Sequence, residues 1–249
     1  MPTIVFASPK GGAGKSTSAV LLAAELAERG ASVTFIDADP NKPVSRWGGR
    51  PGKPATLTIL ADVTEDTIID AIEQSATESA FVVVDLEGTA SMMVGYALSR
   101  ADLAIIPTQG SQLDAAEAVK AIALIRRQER AFNKTIPLAV LFTRTSAAIR
   151  PRTLKSIEAE FVNAGIRVFG TQIHEREAYR AIFVFGGTLS GLDALQVTNI
   201  PAAVSNARAF AAETISLLKQ STPALKTEPT LKTEPTLKTE PATNTQEAA

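Results

Sequence analysis

The chain has 249 residues, 45% of them hydrophobic and 20% charged, which is enough apolar side chain for one large α/β core and too much for wholesale disorder. Its 25 Lys and Arg balance 26 Asp and Glu for a net charge of −1, so a nucleic-acid surface would have to be a local patch on a near-neutral body. Cysteine is absent, which excludes a disulfide scaffold, a thiol nucleophile and a Cys-ligated zinc or iron–sulfur site.

Short runs rich in Val, Ile and Phe at 3–7, 32–37, 81–85, 103–107 and 137–143 predict strands. Continuous apolar runs mark strands buried on both faces, as in a parallel sheet covered by helices. Helical stretches at 15–29, 65–74, 113–131 and 152–164 separate them, a strand at 167–169 is expected to follow, and 202–218 predicts a closing helix. In the first helix Val20, Leu21, Ala24, Leu26 and Ala27 form an apolar stripe ended by Gly30. The alternation predicts a doubly wound, mostly parallel α/β sheet with helices on both faces, spanning 1–220. From 225 the segment Leu-Lys-Thr-Glu-Pro-Thr repeats. A proline every six residues forbids a regular helix, so 221–249 is expected to be a disordered tail. The first residues lack the basic start of a signal peptide, and no run reaches the roughly eighteen apolar residues of a membrane span. These features predict a soluble, cytoplasmic protein with no membrane partner.

Between the first strand and first helix lies Lys10-Gly11-Gly12-Ala13-Gly14-Lys15-Ser16-Thr17. Glycines let backbone N–H groups converge on phosphates without Cβ clashes, and a helix N-terminus adds partial positive charge. Lys15 is placed to reach β- and γ-phosphates, and the Ser16 hydroxyl to bind Mg²⁺. Pro9 stands where the strict phosphate-loop pattern has its first glycine. Asp37 and Asp39 end the second strand, at the edge where open α/β sheets bind ligands. One acid suits a magnesium-bound water and the other an attacking water; a solvated strand-end turn is the alternative. Asp85 ends an apolar strand and predicts a magnesium-side carboxylate, followed by Leu86-Glu87-Gly88.

The run Lys-Gly-Gly-x-Gly-Lys-Ser-Thr, with its extra Lys10, resembles the deviant Walker A loop of the ParA/MinD ATPases. The resemblance covers about 1–220 and implies ATP and Mg²⁺ as cofactors. It implies a homodimer sandwiching two ATP molecules, in which Lys10 reaches the partner's nucleotide. Lys10, Lys15 and Asp39 would be catalytic; Gly11, Gly12, Ala13, Gly14 and Thr17 would cradle phosphates; Ser16, Asp37 and Asp85 would serve the metal. Pro107, Thr143 and Arg144 would flank the adenine, with solvent as the alternative setting for Arg144. It further implies non-specific DNA binding in the ATP state, a ParB-like centromere-binding partner and association with the nucleoid. Arg150, Arg152 and Lys155 are the DNA-contact candidates, a solvated helix face being the other reading. His174-Glu175-Arg176-Glu177-Ala178-Tyr179, with the only histidine, is assigned to folding or the dimer interface.

Two rivals remain at this stage. A MinD-like membrane-surface switch needs a basic amphipathic C-terminal helix, which the Lys-Thr-Glu-Pro repeats do not form. A metabolic P-loop ligase or kinase has no use for a lysine directed at a neighbouring subunit.

Overall fold

The computed structural model describes residues 1–88 and 91–221; the Lys-Thr-Glu-Pro repeats lie outside them. In chain order the elements are β1 (Thr3–Phe6), α1 (Lys15–Glu28), β2 (Val33–Ala38), α2 (Pro43–Gly48), β3 (Leu57–Leu60), α3 (Ile68–Glu78), β4 (Phe81–Leu86) and α4 (Met92–Ser99). There follow β5 (Leu103–Thr108), α5 (Gln112–Phe132), β6 (Leu138–Thr145), α6 (Arg152–Asn163), β7 (Arg167–Val168), β8 (Ile173–His174), α7 (Glu177–Phe185) and α8 (Ile200–Ser221). The strands pair in the order β3-β2-β4-β1-β5-β6-β7, with β8 also beside β6. The pairings are parallel throughout.

Alternation along each strand divides the core into two layers. Ile4, Phe6, Phe35, Val83 and Leu141 join α1, α7 and α8 on one face. Val5, Ile36, Val84, Ile106 and Val140 join α3 through α6 on the other. Both faces are covered, which is why the strands read as unbroken apolar runs. The expected doubly wound sheet is the observed one.

Differences are local and have physical causes. The α1 stripe is not one face of an exposed helix, because Ala19, Leu22 and Ala23 are buried too. The helix is packed between the sheet and α8, so its whole circumference is covered. The helix expected at 65–74 starts later, at Ile68, because Thr64 and Thr67 close a turn through Thr64 N–H to Thr67 Oγ1 at 2.9 Å. Not anticipated by sequence are α2, β3, α4, β8 and α7, which run only two to nine residues, too short for a clear periodic signal.

Candidate functional site

β1 lies between β4 and β5, so the loop that follows it emerges at the centre of the sheet's C-terminal edge. Gly12 and Gly14 take φ of +78° and +86°, left-handed values that cost a side-chain-bearing residue about 1 kcal/mol or more. A Cβ on Gly14 would also meet Thr143 at 3.3 Å. The tethers of the loop run to its carbonyls. Thr143 Oγ1 donates to Ala13 O at 2.7 Å and Gln109 Nε2 donates to Gly12 O at 3.1 Å. By contrast, none of the backbone N–H groups of Gly11–Thr17 donates to a protein acceptor among the described residues. Lys15 is buried along its stem and likewise unpaired. A concave row of unspent donors at a helix N-terminus, with an ammonium beside it, suits a phosphate chain.

Across the strands, Asp37 on β2 stands opposite Asp85 on β4 in the parallel register. Both are buried. Asp37 Oδ2 accepts from Ser45 N at 2.7 Å and Ser45 Oγ at 2.6 Å, while Asp37 Oδ1 and both oxygens of Asp85 have no hydrogen-bond partner among the described residues. Burial pushes the Asp85 carboxyl up to about 7; the nearby Ser16 hydroxyl and Lys15 ammonium oppose this, and the charges of Asp37 and Asp39 add to it. Bare carboxylate oxygens inside a protein are costly unless a cation compensates them. Hard oxygen donors of this kind fit Mg²⁺. Asp39 sits further out, in a turn where its Oδ1 accepts from Asn41 N at 2.8 Å.

Lys10 does not point at its own loop. Its Nζ donates to Asp114 Oδ1 at 2.5 Å, and Ser111 Oγ lies 2.5 Å from Asp114 Oδ2. Ser111 is also the N-cap of α5. Burial tends to raise the Asp114 carboxyl, but the bonds from Lys10 and Ser111 outweigh it and hold the group below its usual value.

Beside the start of α1 a cavity of about 290 Å³ is lined by Gly14, Thr17, Ser18, Thr143, Arg144, His174, Arg176 and Tyr179 among others. A β-bulge between β6 and β8 puts Arg144 at φ +52°, an uncommon conformation that turns the exposed residue out of the ladder. Thr143 lines the cavity and has a further role. Its hydroxyl is spent on Ala13 O and Thr108 O, so it braces the loop. Pro107 is buried within β5 and does not line this cavity. The 174–179 segment, assigned by sequence to folding or the dimer interface, also forms a wall of the cavity. No local pattern announces this; only the parallel pairing of β8 with β6 brings it there. Burial and the charge of Arg176 keep His174 below its ordinary pKa, hence neutral near pH 7. Tyr179 donates to Ala203 O at 3.1 Å, bracing α7 on α8. The Arg176 Nε and Ser18 Oγ atoms are buried without a hydrogen-bond partner among the described residues. A larger cavity, about 740 Å³, opens at the opposite pole between Pro2, Phe81, Pro137 and Leu218. Its walls are mainly apolar, and it is remote from the loop.

The VirC1 protein family model matches residues 1–219. The chain belongs to the VirC1 family. This VirC1-family chain is 43% identical over 226 residues to Protein ParA of Rhizobium radiobacter, covering 91% of this chain and 100% of that one. It is 30% identical over 187 residues to Protein virC1 of Rhizobium rhizogenes, covering 73% of this chain and 80% of that one. Among solved structures, an ATP complex of an aspartate-to-alanine variant of McdA from Cyanothece superposes with a TM-score of 0.68 at 18% identity, covering 87% of this chain and 96% of that one. The doubly wound P-loop architecture is therefore shared with ParA- and MinD-type proteins.

In the VirC1-family chain the basic candidates are unequal. Arg150 forms an ion pair with Glu158, whereas Arg152 and Lys155 are exposed on α6 and their side chains have no hydrogen-bond or ion-pair partner among the described residues. Arg126 is paired with Glu129, Arg180 with Glu175 and Arg208 with Glu25. Arg152 and Lys155 at the start of α6 are thus open to a phosphate backbone, as are the exposed Arg127 and Arg130 on α5. Among the described residues no helix is long and apolar enough to cross a membrane.

Proposed function

We propose that this protein is a ParA-type, Mg²⁺-dependent ATP hydrolase that dimerises on binding ATP, coats DNA non-specifically and partitions plasmid DNA. The observation that carries the reading is the pairing of unspent N–H donors at Gly11–Thr17 with bare, buried oxygens on Asp37 and Asp85 at the same edge. One set lacks an anion and the other lacks a cation, and a magnesium nucleotide supplies both. The loop N–H groups and Lys15 would bind the phosphates. Ser16, Asp37 and Asp85 would hold the magnesium and its waters, and the metal would offset charge on the β- and γ-phosphates. Arg144 and the 174–179 wall would enclose the base, with the Arg144 guanidinium plane available for stacking. Asp39 would orient the attacking water.

Lys10 gives the reading its dimeric form. A lysine turned away from its own loop would reach a facing subunit's nucleotide once it leaves Asp114. The preference for plasmid partition over a DNA-transfer accessory role follows the 43% identity to a ParA protein across that protein's full length. A ParB-like centromere-binding protein would then stimulate hydrolysis, and the ATP-bound dimer would reside on the nucleoid.

Co-sedimentation with DNA and with liposomes, with and without ATP and Mg²⁺, tests the proposal. ATP-dependent sedimentation with DNA alone is the expected result. Sedimentation with liposomes alone would replace it with a membrane-surface switch. Turnover that needs a small-molecule acceptor and ignores DNA would replace it with a metabolic kinase or ligase.

A further inference from the structure

We infer that Ser45 is the positioning residue for Asp37, fixing which carboxylate oxygen faces the metal side of the site; this rests on the magnesium-side reading of Asp37 above. Asp37 is 1% exposed. Its Oδ2 receives two hydrogen bonds from the same residue, Ser45 N at 2.7 Å and Ser45 Oγ at 2.6 Å, while Oδ1 receives none from the described residues. Two donors converging on one oxygen occupy its lone pairs and stop the carboxylate exchanging its oxygens by rotation. The remaining oxygen stands across the register from Asp85, whose two oxygens are also bare.

A carboxylate that merely caps a short helix needs only the backbone N–H. The Ser45 hydroxyl is an additional donor that α2 does not require, because a half-buried serine in a first turn otherwise satisfies itself in water. The platform for that hydroxyl is stiff. Pro43 opens α2 with a fixed φ. Trp47, buried two residues beyond Ser45, donates its indole N–H to Gly187 O at 3.0 Å. Ser45 is therefore presented by an element locked into the core, as partners of metal-site carboxylates commonly are. Sequence reading gives it no prominence, because a serine eight residues after an aspartate matches no spacing rule.

The test is fluorescent ADP binding to the full chain, measured in EDTA and at stepped Mg²⁺. In Ser45→Ala the Mg²⁺ concentration for half-maximal tightening should rise roughly tenfold, the low end of the effect expected when a metal-site carboxylate loses a partner. Affinity in EDTA should stay at the wild-type value, and Ser45→Thr, which keeps the hydroxyl, should restore the magnesium response. Asp37→Ala sets the scale of complete loss. A Ser45→Ala protein with the wild-type magnesium response overturns the inference and leaves the reading of Asp37 standing. So does equal weakening in EDTA and in Mg²⁺, which would make Ser45 a support for α2 only. A wild-type protein whose ADP affinity ignores Mg²⁺ overturns both.

Discussion

Lys10 and Asp114 are 104 residues apart in sequence and joined at 2.5 Å by Nζ and Oδ1, so the lysine proposed to act across a dimer is held by its own chain. The pair is uneven, the lysine side chain being 45% exposed and the aspartate 8%. Replacing the lysine should separate it functionally from Lys15. Lys15→Ala removes a phosphate contact within each subunit and should weaken ATP binding directly. Lys10→Ala should keep monomer ATP affinity and lose dimerisation, since a charge-assisted contact of about 1.5–3 kcal/mol is roughly ten- to a hundredfold in dimer affinity. Asp114→Asn frees the lysine and should favour the ATP dimer by up to about fivefold, the scale of a partly exposed ion pair. Sedimentation with a non-hydrolysable ATP analogue reads all three, and a Lys10→Ala protein that dimerises normally removes the sandwich mechanism.

Thr143→Val keeps shape but removes the hydroxyl that reaches Ala13 O and Thr108 O. Two buried carbonyls lose a donor. Stability should fall by about 1–3 kcal/mol, and ATP affinity should fall with it because the loop loses its tether. A variant with unchanged melting temperature and affinity would mean that Gln109 alone anchors the loop.

Asp39→Ala should bind ATP and DNA yet hydrolyse poorly, leaving the dimer trapped on DNA. The reasoning is that Asp39 makes only turn contacts with Asn41, so its removal leaves the phosphate donors in place. Steady-state phosphate release on DNA is the measurement. Wild-type turnover would move the water-positioning role elsewhere.

Charge reversal at Arg152 and Lys155 should weaken binding to all DNA sequences alike and flatten its salt dependence, because phosphate contacts carry no base information. Reversal at Arg150 should do less, since Glu158 already neutralises it. Filter binding across a salt series distinguishes them. An unchanged salt slope for Arg152 and Lys155 would shift the DNA surface away from α6.

Legibility followed length and locality. The strand carrying Val5 and Phe6, the glycines at 12 and 14 and the acids at 37 and 85 lie in contiguous patterns, and their setting could be read directly. Two faces covered by helices leave no alternation to misread, so the sheet was plain. What stayed hidden depends on contacts between distant segments. The spending of the Thr143 hydroxyl on the loop, the arrival of Arg176 beside Gly14 and the hold of Ser45 on Asp37 arise only once β6, β8 and α2 are docked. The basic cluster was legible as composition, but its pairing was not, because Arg150 precedes α6 while Glu158 lies well over a turn into it.

The tether from Thr143 to Ala13 spans 130 residues, and β1 pairs with strands that begin at Phe81 and Leu103. The residues of the phosphate loop are synthesised before the strand that tethers them, which follows more than a hundred residues later. Such non-local pairing is slow to close and exposes apolar edges meanwhile. A nascent chain halted before β6 should therefore carry the complete loop sequence and fail to retain nucleotide. The loop is made before its scaffold and becomes competent only after it.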